Sequence, residues 1–317
     1  MSAFRRRKGS LPRLAPELDD VDLGRVRQRL EKCWSRGQLD IAVVASVGQV
    51  IEEAGTDWDR KAHRLEVLAA SAGRALPGIW QRNNPRNQNA LLLRAWSDLL
   101  LARQQGSSGD LNDIRETCRT AADLLPADPI PWVLILATLR MERRPYADLA
   151  AVWQEIKARD PWNREAHLQA LGYLSPDECG STSQVLDLLD GMRSVMPADA
   201  PTAGLELISL VRGYQRTVSA GGVAAIGAGD HWRRPQAAKA LDQAAQDWPR
   251  PGFLHHAASR ADLNVLAYAL TKASRTAEAA TVLRATNGIA TPWPWNTDGD
   301  PLTTYSHWHN RLVSGAS

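Results

Sequence analysis

Apolar residues recur along this chain at intervals of three and four, the spacing that lines up one face of a helix against a core. Leu111, Ile114, Cys118, Ala121 and Leu125 form one such stripe, and Leu149, Val152, Trp153 and Ile156 form another. Val185, Leu188, Leu189, Met192 and Met196 make a third; Leu207, Leu210, Val211 and Tyr214, then Leu263, Leu266, Ala267 and Leu270, continue the series. Alternation with a period of two, the mark of a half-buried strand, is nearly absent. The stripes sit in segments of roughly 12 to 18 residues separated by Pro, Gly, Asp or Asn, which predicts about twelve helices. Short connections favour antiparallel packing of neighbours, so the expected fold is all-α, built from helical hairpins.

An internal period runs through these segments. "DPIPWVLILATLRMERRPYADLAAVWQEIKAR" begins at Asp128, and "DPWNREAHLQALGYLSPDECGSTSQVLDLLDGM" begins at Asp160, thirty-two residues later. "NPRNQNALLLRAWSDLLLARQQ" opens the same way at Asn84, and "PADAPTAGLELISLVRGYQR" follows at Pro197. Asp or Asn ahead of Pro suits a helix start, because the polar side chain caps free amides and Pro loses no hydrogen bond in the first turn. A turn, a helix, a break and a second helix is the layout of tetratricopeptide-like repeats, whose period is about 34 residues. The chain resembles tetratricopeptide-like helical-repeat proteins of high-GC bacteria in "DWDRKAHRLEVLA", "NALLLRAW", "DPIPW", "REAHLQALGYL", the "GS" at Gly180 and "TPWPW" at Thr291. It departs from that group at "SPDECGS", where the group has a Trp before the Gly-Ser. The resemblance implies a solenoid of antiparallel helical hairpins and brings no activity with it.

Four divisions follow. Residues 1–17 read as a disordered basic tail, 18–83 as N-terminal helices, 84–288 as the helical repeats and 289–317 as a Trp- and His-rich C-terminal tail. Within the repeats, "VSAGGVAAIGAGDHWRRPQ" breaks the periodicity and predicts a flexible loop at 218–236.

Charge changes the picture of partners. The formal net charge is +3, but Arg5, Arg6, Arg7, Lys8 and Arg13 supply +5, which leaves −2 on the rest. A nucleic-acid-binding body needs a basic face of its own, so nucleic acid is not an expected partner. No apolar run reaches the eighteen or so residues of a transmembrane helix, and no apolar segment follows the basic start as in a secretory signal. Three separated cysteines make neither a disulfide framework nor a CxxC site, and a cytoplasmic location is expected.

No catalytic signature emerges: there is no phosphate loop, no GxSxG and no HExxH, and the Gly227/Gly229 pair lacks the third glycine of a dinucleotide loop. No catalytic residue, metal site or cofactor is therefore expected. Ser183 reads as a helix cap, and His255 and His256 as the solvated start of a helix. His307 and His309 flank Trp308 without a convergent third ligand. His167, in phase with Ala170, Leu171 and Leu174, reads as a core histidine bonded to a backbone carbonyl. Trp96, Trp132 and Trp153 read as core anchors.

The expected function is a non-catalytic scaffold or adaptor that binds a protein or peptide along the concave face of the array. Arg94, Arg140, Arg143, Asn163 and Tyr173 are the candidate contacts, the arginines as forks for the carboxylates or carbonyls of an acidic partner. Two alternatives are an enzyme or small-molecule sensor with a pocket under the 218–236 loop, and an anionic-surface binder acting through the RRRK tail.

Overall fold

The computed structural model describes residues 11–35, 41–106 and 111–314. Arg5, Arg6, Arg7 and Lys8 lie outside the described residues. The chain is all-α, with sixteen α-helices and one two-stranded sheet among the described residues. It divides into two compact units, residues 20–203 and residues 11–19 with 204–314. The boundary at 203/204 falls inside the span expected to be one run of repeats, and the helices from residue 21 onward belong with those after 84.

In the first unit the helices are α1 (Val21–Ser35), α2 (Ile41–Glu52), α3 (Trp58–Ala72), α4 (Ala75–Asn83), α5 (Gln88–Gln105), α6 (Leu111–Leu124), α7 (Ile130–Met141), α8 (Tyr146–Arg159), α9 (Arg164–Tyr173) and α10 (Thr182–Arg193). One device starts several of them. A turn with Pro at its second position closes on an Asn or Asp that then caps the helix. Asn87 N donates to Asn84 O at 3.0 Å, Asp128 N to Leu125 O at 3.1 Å and Asn163 N to Asp160 O at 3.2 Å. The side chains of Asn87 and Asn163 accept from Ala90 N and Ala166 N, and Asp128 Oδ1 accepts from Ile130 N. The caps of α5 and α9 thus sit three residues after the Asn84 and Asp160 that the sequence reading marked. Proline fits the second position of such a turn through its fixed φ, and the Asx that closes it meets the free amides. The cap of α10 is Ser181, not Ser183, which lies inside the helix.

Helices α1, α3, α5, α7 and α9 touch one another in series. α2 packs on α1, α3 and α5, α4 on α3 and α5, α6 on α5 and α7, and α8 on α7. The odd-numbered series curves far enough that α9 reaches α3. Leu65, Leu68, Leu92, Leu93 and Leu99 are fully buried in the main core of this unit, with Trp80 and Trp96 beside them. Trp132 and Trp153 are only half-buried. Arg159 lies over the Trp132 ring at 5.2 Å, and Trp153 meets His167 edge-on at 4.8 Å, so both indoles close the rim of a core rather than fill it.

Buried charge pins the layers. Lys61 Nζ of α3 lies 2.6 Å from Asp128 Oδ2, with the two side chains 5% and 0% exposed. Gln88 of α5 accepts from Lys61 and donates to Asp128. Arg64, also on α3, holds Asp20 at 2.7 Å and donates to Val50 O.

The second unit begins with strand β1 (Arg13–Leu14), which pairs in parallel with β2 (Ile289–Ala290). Its helices are α11 (Leu205–Ser219), α12 (Gly222–Ile226), α13 (Pro235–Asp247), α14 (Ser259–Lys272), α15 (Thr276–Ala285) and α16 (Pro301–His309). Ala15 and Leu18 pack with Ile289, so the later part of the expected disordered tail is a structural element, fixed by strand pairing and three buried side chains. Residues 222–233 form α12 and a 3-10 helix rather than an open loop. Trp232 and His231 are buried, and both rings meet Tyr214. The C-terminal "TPWPW" is likewise core. Trp295 is fully buried, meets Tyr268 and Tyr305 edge-on, and donates through Nε1 to Asn264 Oδ1 at 2.9 Å. Its neighbour Trp293 is joined to Pro294 by a cis peptide bond.

Candidate functional site

The even-numbered helices pack against the series α3, α5, α7, α9, and the series curves until α9 touches α3; the side toward which it curves is called its inner face. Side chains from four of these helices converge on that inner face: Glu66 of α3, Arg103 of α5, Arg140 of α7, and Glu165 and Gln169 of α9. Gln169 is the hub. Its Oε1 accepts from Arg140 at 2.8 Å and Arg103 at 3.4 Å, and its Nε2 donates to Glu165 at 2.6 Å. Arg140 also forks onto Glu178, with Nε 2.8 Å from Oε2 and Nη2 on the other oxygen.

Gly172 makes room for that fork. A Cβ there would stand 2.1 Å from Arg140 Nη2, and Arg140 is held at both ends by Glu178 and Gln169. The glycine in "QALGYL" is therefore a packing requirement of the site, visible only once α7 lies against α9.

Glu66 differs from its neighbours. Water reaches it, yet surrounding protein makes desolvation the largest influence on its carboxyl, with the nearby Glu165 charge adding to it and Arg103 opposing it. The carboxyl is raised from 4.5 to about 7. At the α3 N-terminus lies a second acidic focus, where burial and the charges of Asp59 and Asp57 raise the Asp160 carboxyl.

Of the five contacts expected from the sequence, the structure brings only Arg140 to this convergence. Arg94 lies elsewhere on α5, bonded to Gln81 and Asp98, and lines a small cavity of about 130 Å³ with Arg74, Leu111 and Ile114. Arg143 is exposed in the α7–α8 connection, with a left-handed φ of 51°. Asn163 is 1% exposed and caps α9, and Tyr173 is buried with its hydroxyl donating to Arg144 O at 2.7 Å. Neither offers free surface to a partner, because its polar atoms and its area are already engaged within the fold. Glu66, Arg103, Glu165 and Gln169 went unread in the sequence, where each stands as an ordinary polar residue on a helix.

The histidines sort by burial. His167 is buried, with Nδ1 2.8 Å from Asn163 O, as its phase predicts. His255 is exposed, but His256 is buried with Nε2 3.3 Å from Asp262 Oδ2, not at a solvated helix start. His307 is exposed while His309 is buried against Tyr305, so the two face apart. Among the described residues no group of three or more His, Cys, Asp or Glu is placed to hold a metal ion. Within the 218–236 segment, where a ligand pocket was one expectation, the buried rings of His231 and Trp232 meet Tyr214. No helix among the described residues is long and apolar enough to cross a membrane. Comparison of the chain with protein-family models, curated proteins and solved structures finds no match.

Proposed function

We propose that the chain is a non-catalytic scaffold, and that residues 20–203 form a tetratricopeptide-like array of helical hairpins that binds a protein or peptide partner on its inner face. One observation carries this reading. Helices α3, α5, α7 and α9 touch in series while α9 reaches α3, so their polar side chains meet on a wall open to water. A face built across stacked helical hairpins suits an extended or helical segment better than a small substrate. The cluster at Gln169 is a network of mutually satisfied side chains, and it presents no nucleophile with an adjacent base. A cytoplasmic location accords with the free thiols of Cys33, Cys118 and Cys179.

Site-specific photocrosslinking tests the reading. A benzophenone amino acid is placed at Arg103 on the inner face and, separately, at Arg119 on the exposed side of α6. In host-cell lysate the inner position is expected to trap a defined partner peptide, identified by mass spectrometry, that the outer position does not trap. Equal trapping at both positions, or none at Arg103, overturns the inner-face assignment.

A further inference from the structure

The second unit carries the chain's one Asn-Gly pair, Asn287-Gly288, in the connection between α15 and β2. Of all dipeptides this is the one most prone to rearrange in water. The backbone nitrogen of the glycine, unhindered by a side chain, attacks Cγ of the asparagine. A C–N bond forms at Cγ, the bond from Cγ to the side-chain nitrogen breaks, and ammonia leaves with the proton that the backbone nitrogen gives up. Water then opens the cyclic imide at one carbonyl or the other, giving aspartate or isoaspartate. Water is the only co-reactant.

The folded backbone blocks that attack. Asn287 and Gly288 have φ of 54° and 75°, and Ile289 N donates to Thr286 O at 3.1 Å. Positive φ at both central positions makes this a type I′ turn, for which Asn-Gly is a favoured pair. A left-handed residue holds its Cβ close to its own carbonyl oxygen. The next nitrogen lies on the opposite side of that carbonyl carbon, so Gly288 N is turned away from the Asn287 side chain. Rotating the peptide with its flanks fixed would convert the turn to type II′, whose first central position takes glycine. Asparagine must therefore leave the turn before it can react.

Several contacts hold the flanks. Thr286 is fully buried and hydrogen-bonded to Tyr305, and Asn264 Nδ2 donates to Ile289 O at 3.0 Å. Gly288 O accepts from Arg13 N of β1 at 2.9 Å, and Ala15 and Leu18 pack on Ile289 just beyond. The α14 and α16 contacts come from the helical core of the unit. β1 comes from near the start of the chain, is two residues long and has both residues exposed, so it is the hold that detaches at least cost.

We propose that Asn287 is a site of spontaneous deamidation gated by the N-terminal strand: pairing of β1 with β2 keeps the turn closed and the asparagine intact, and release of β1 opens it to modification. The isoaspartate route runs one way. Isoaspartate carries the chain through the former side chain, adds a backbone carbon and cannot hold the turn, so β1 loses its register on Ile289 and Ala290. Aspartate keeps the turn, which Asp-Gly also suits, and adds one negative charge.

The test incubates the full chain, its Arg13→Pro variant and a synthetic peptide of residues 282–293 in one mildly alkaline buffer, with conversion at Asn287 followed by mass spectrometry. Arg13→Pro removes the N–H that Gly288 O accepts. The peptide is expected to convert fastest, the full chain slower by on the order of tenfold or more, and the variant at least about threefold faster than the full chain. Circular dichroism verifies that the variant folds. Should it not fold, low urea on the unaltered chain takes its place, and conversion must rise in step with hydrogen exchange at the Arg13 amide. The deamidated fraction, collected by anion exchange, should lose protection at that amide, while Asn287→Asp, with the same charge and an unaltered backbone, should keep it. Conversion of the full chain as fast as that of the peptide overturns protection by the turn. Conversion unmoved by Arg13→Pro, or out of step with exchange in urea, overturns the gate. Equal protection of Arg13 in the deamidated fraction and in Asn287→Asp overturns the one-way release.

Discussion

Removing one carboxylate, Asp128→Ala, strikes at what locks three helices of the first unit together. Asp128 is fully buried and accepts from Lys61 Nζ at 2.6 Å, Gln88 Nε2 at 3.0 Å and Ile130 N at 2.8 Å. The variant leaves the Lys61 ammonium, whose side chain is 5% exposed, without its counter-charge. Breaking a buried pair from one side costs about 3–5 kcal/mol, because the surviving charge stays desolvated. In a unit of this size about 1 kcal/mol moves the melting temperature by roughly 2–4 °C, so a fall of roughly 6–20 °C is expected. Asp148→Ala is the control. Its pair with Arg144 is 38% and 52% exposed on the two sides, and such i,i+4 pairs contribute about 0.3–0.5 kcal/mol.

The double variant Lys61→Met/Asp128→Leu separates charge from packing. It removes the stranded ammonium together with its partner, leaving mainly the lost hydrogen bond to Ile130 N at the start of α7, a cost of about 1 kcal/mol. Urea unfolding followed by tryptophan fluorescence, with thermal melts by circular dichroism, measures all three proteins. Should Asp128→Ala cost less than about 1 kcal/mol, or the double variant prove as unstable as the single, the buried pair is not what joins α3, α5 and α7.

Three further outcomes are expected. Trp295→Ala should destabilise the second unit by about 3–5 kcal/mol and collapse the near-UV circular dichroism signal, since the indole fills the space between Tyr268 and Tyr305; an unchanged spectrum would contradict its place in the core. The folded chain holds the Glu66 proton up to about 7 while the unfolded chain releases it near 4.5, so stability should fall as pH rises between those values; Glu66→Gln should flatten that slope in a series of melts, and an identical slope would show that Glu66 is not desolvated. Removing residues 1–18 takes away β1, Ala15 and Leu18 and should lower the melting temperature, with hydrogen exchange rising at Ile289 and Ala290; protection equal to that of the full chain would mean the strand contributes nothing.

The fold class was legible because burial writes itself into period. Leu111, Ile114, Cys118 and Ala121 are all buried on one side of α6, as their spacing requires. Helix starts were legible one step away from where they fall. Proline and Asx were recognised as start signals, but in Asn84-Pro85-Arg86-Asn87 and Asp160-Pro161-Trp162-Asn163 the leading Asx opens the turn and the closing one caps. The recurring unit is Pro-x-Asx, also present as Pro126-Ala127-Asp128, and it can be searched for in sequence because proline sets the turn and Asx supplies the cap. The 218–236 segment misled for a related reason. Its glycines and alanines carry no stripe, and the order there comes from His231 and Trp232 meeting Tyr214, a contact with no local period.

The inner face was illegible for a deeper reason. Periodicity tells which side of a helix is buried, but two exposed positions on one helix look alike until the neighbours are placed. Glu66 and Glu53 are both exposed carboxylates, yet Glu53 accepts from Gln49 one turn earlier, while Glu66 feels the charge of Glu165, ninety-nine residues along the chain. That meeting depends on α9 reaching α3, and the curvature responsible is the accumulated result of packing α3 on α5, α5 on α7 and α7 on α9. Each step follows from side-chain volumes at one interface, so no single segment encodes the closure. The same logic explains Arg94 and Arg140: alike in composition and both on odd-numbered helices, they part because one turns to Gln81 and Asp98 and the other to the face where α9 arrives. Charge read along the chain counts both as cations offered to a partner. Charge read in space finds Arg140 already matched by Glu178 and Gln169.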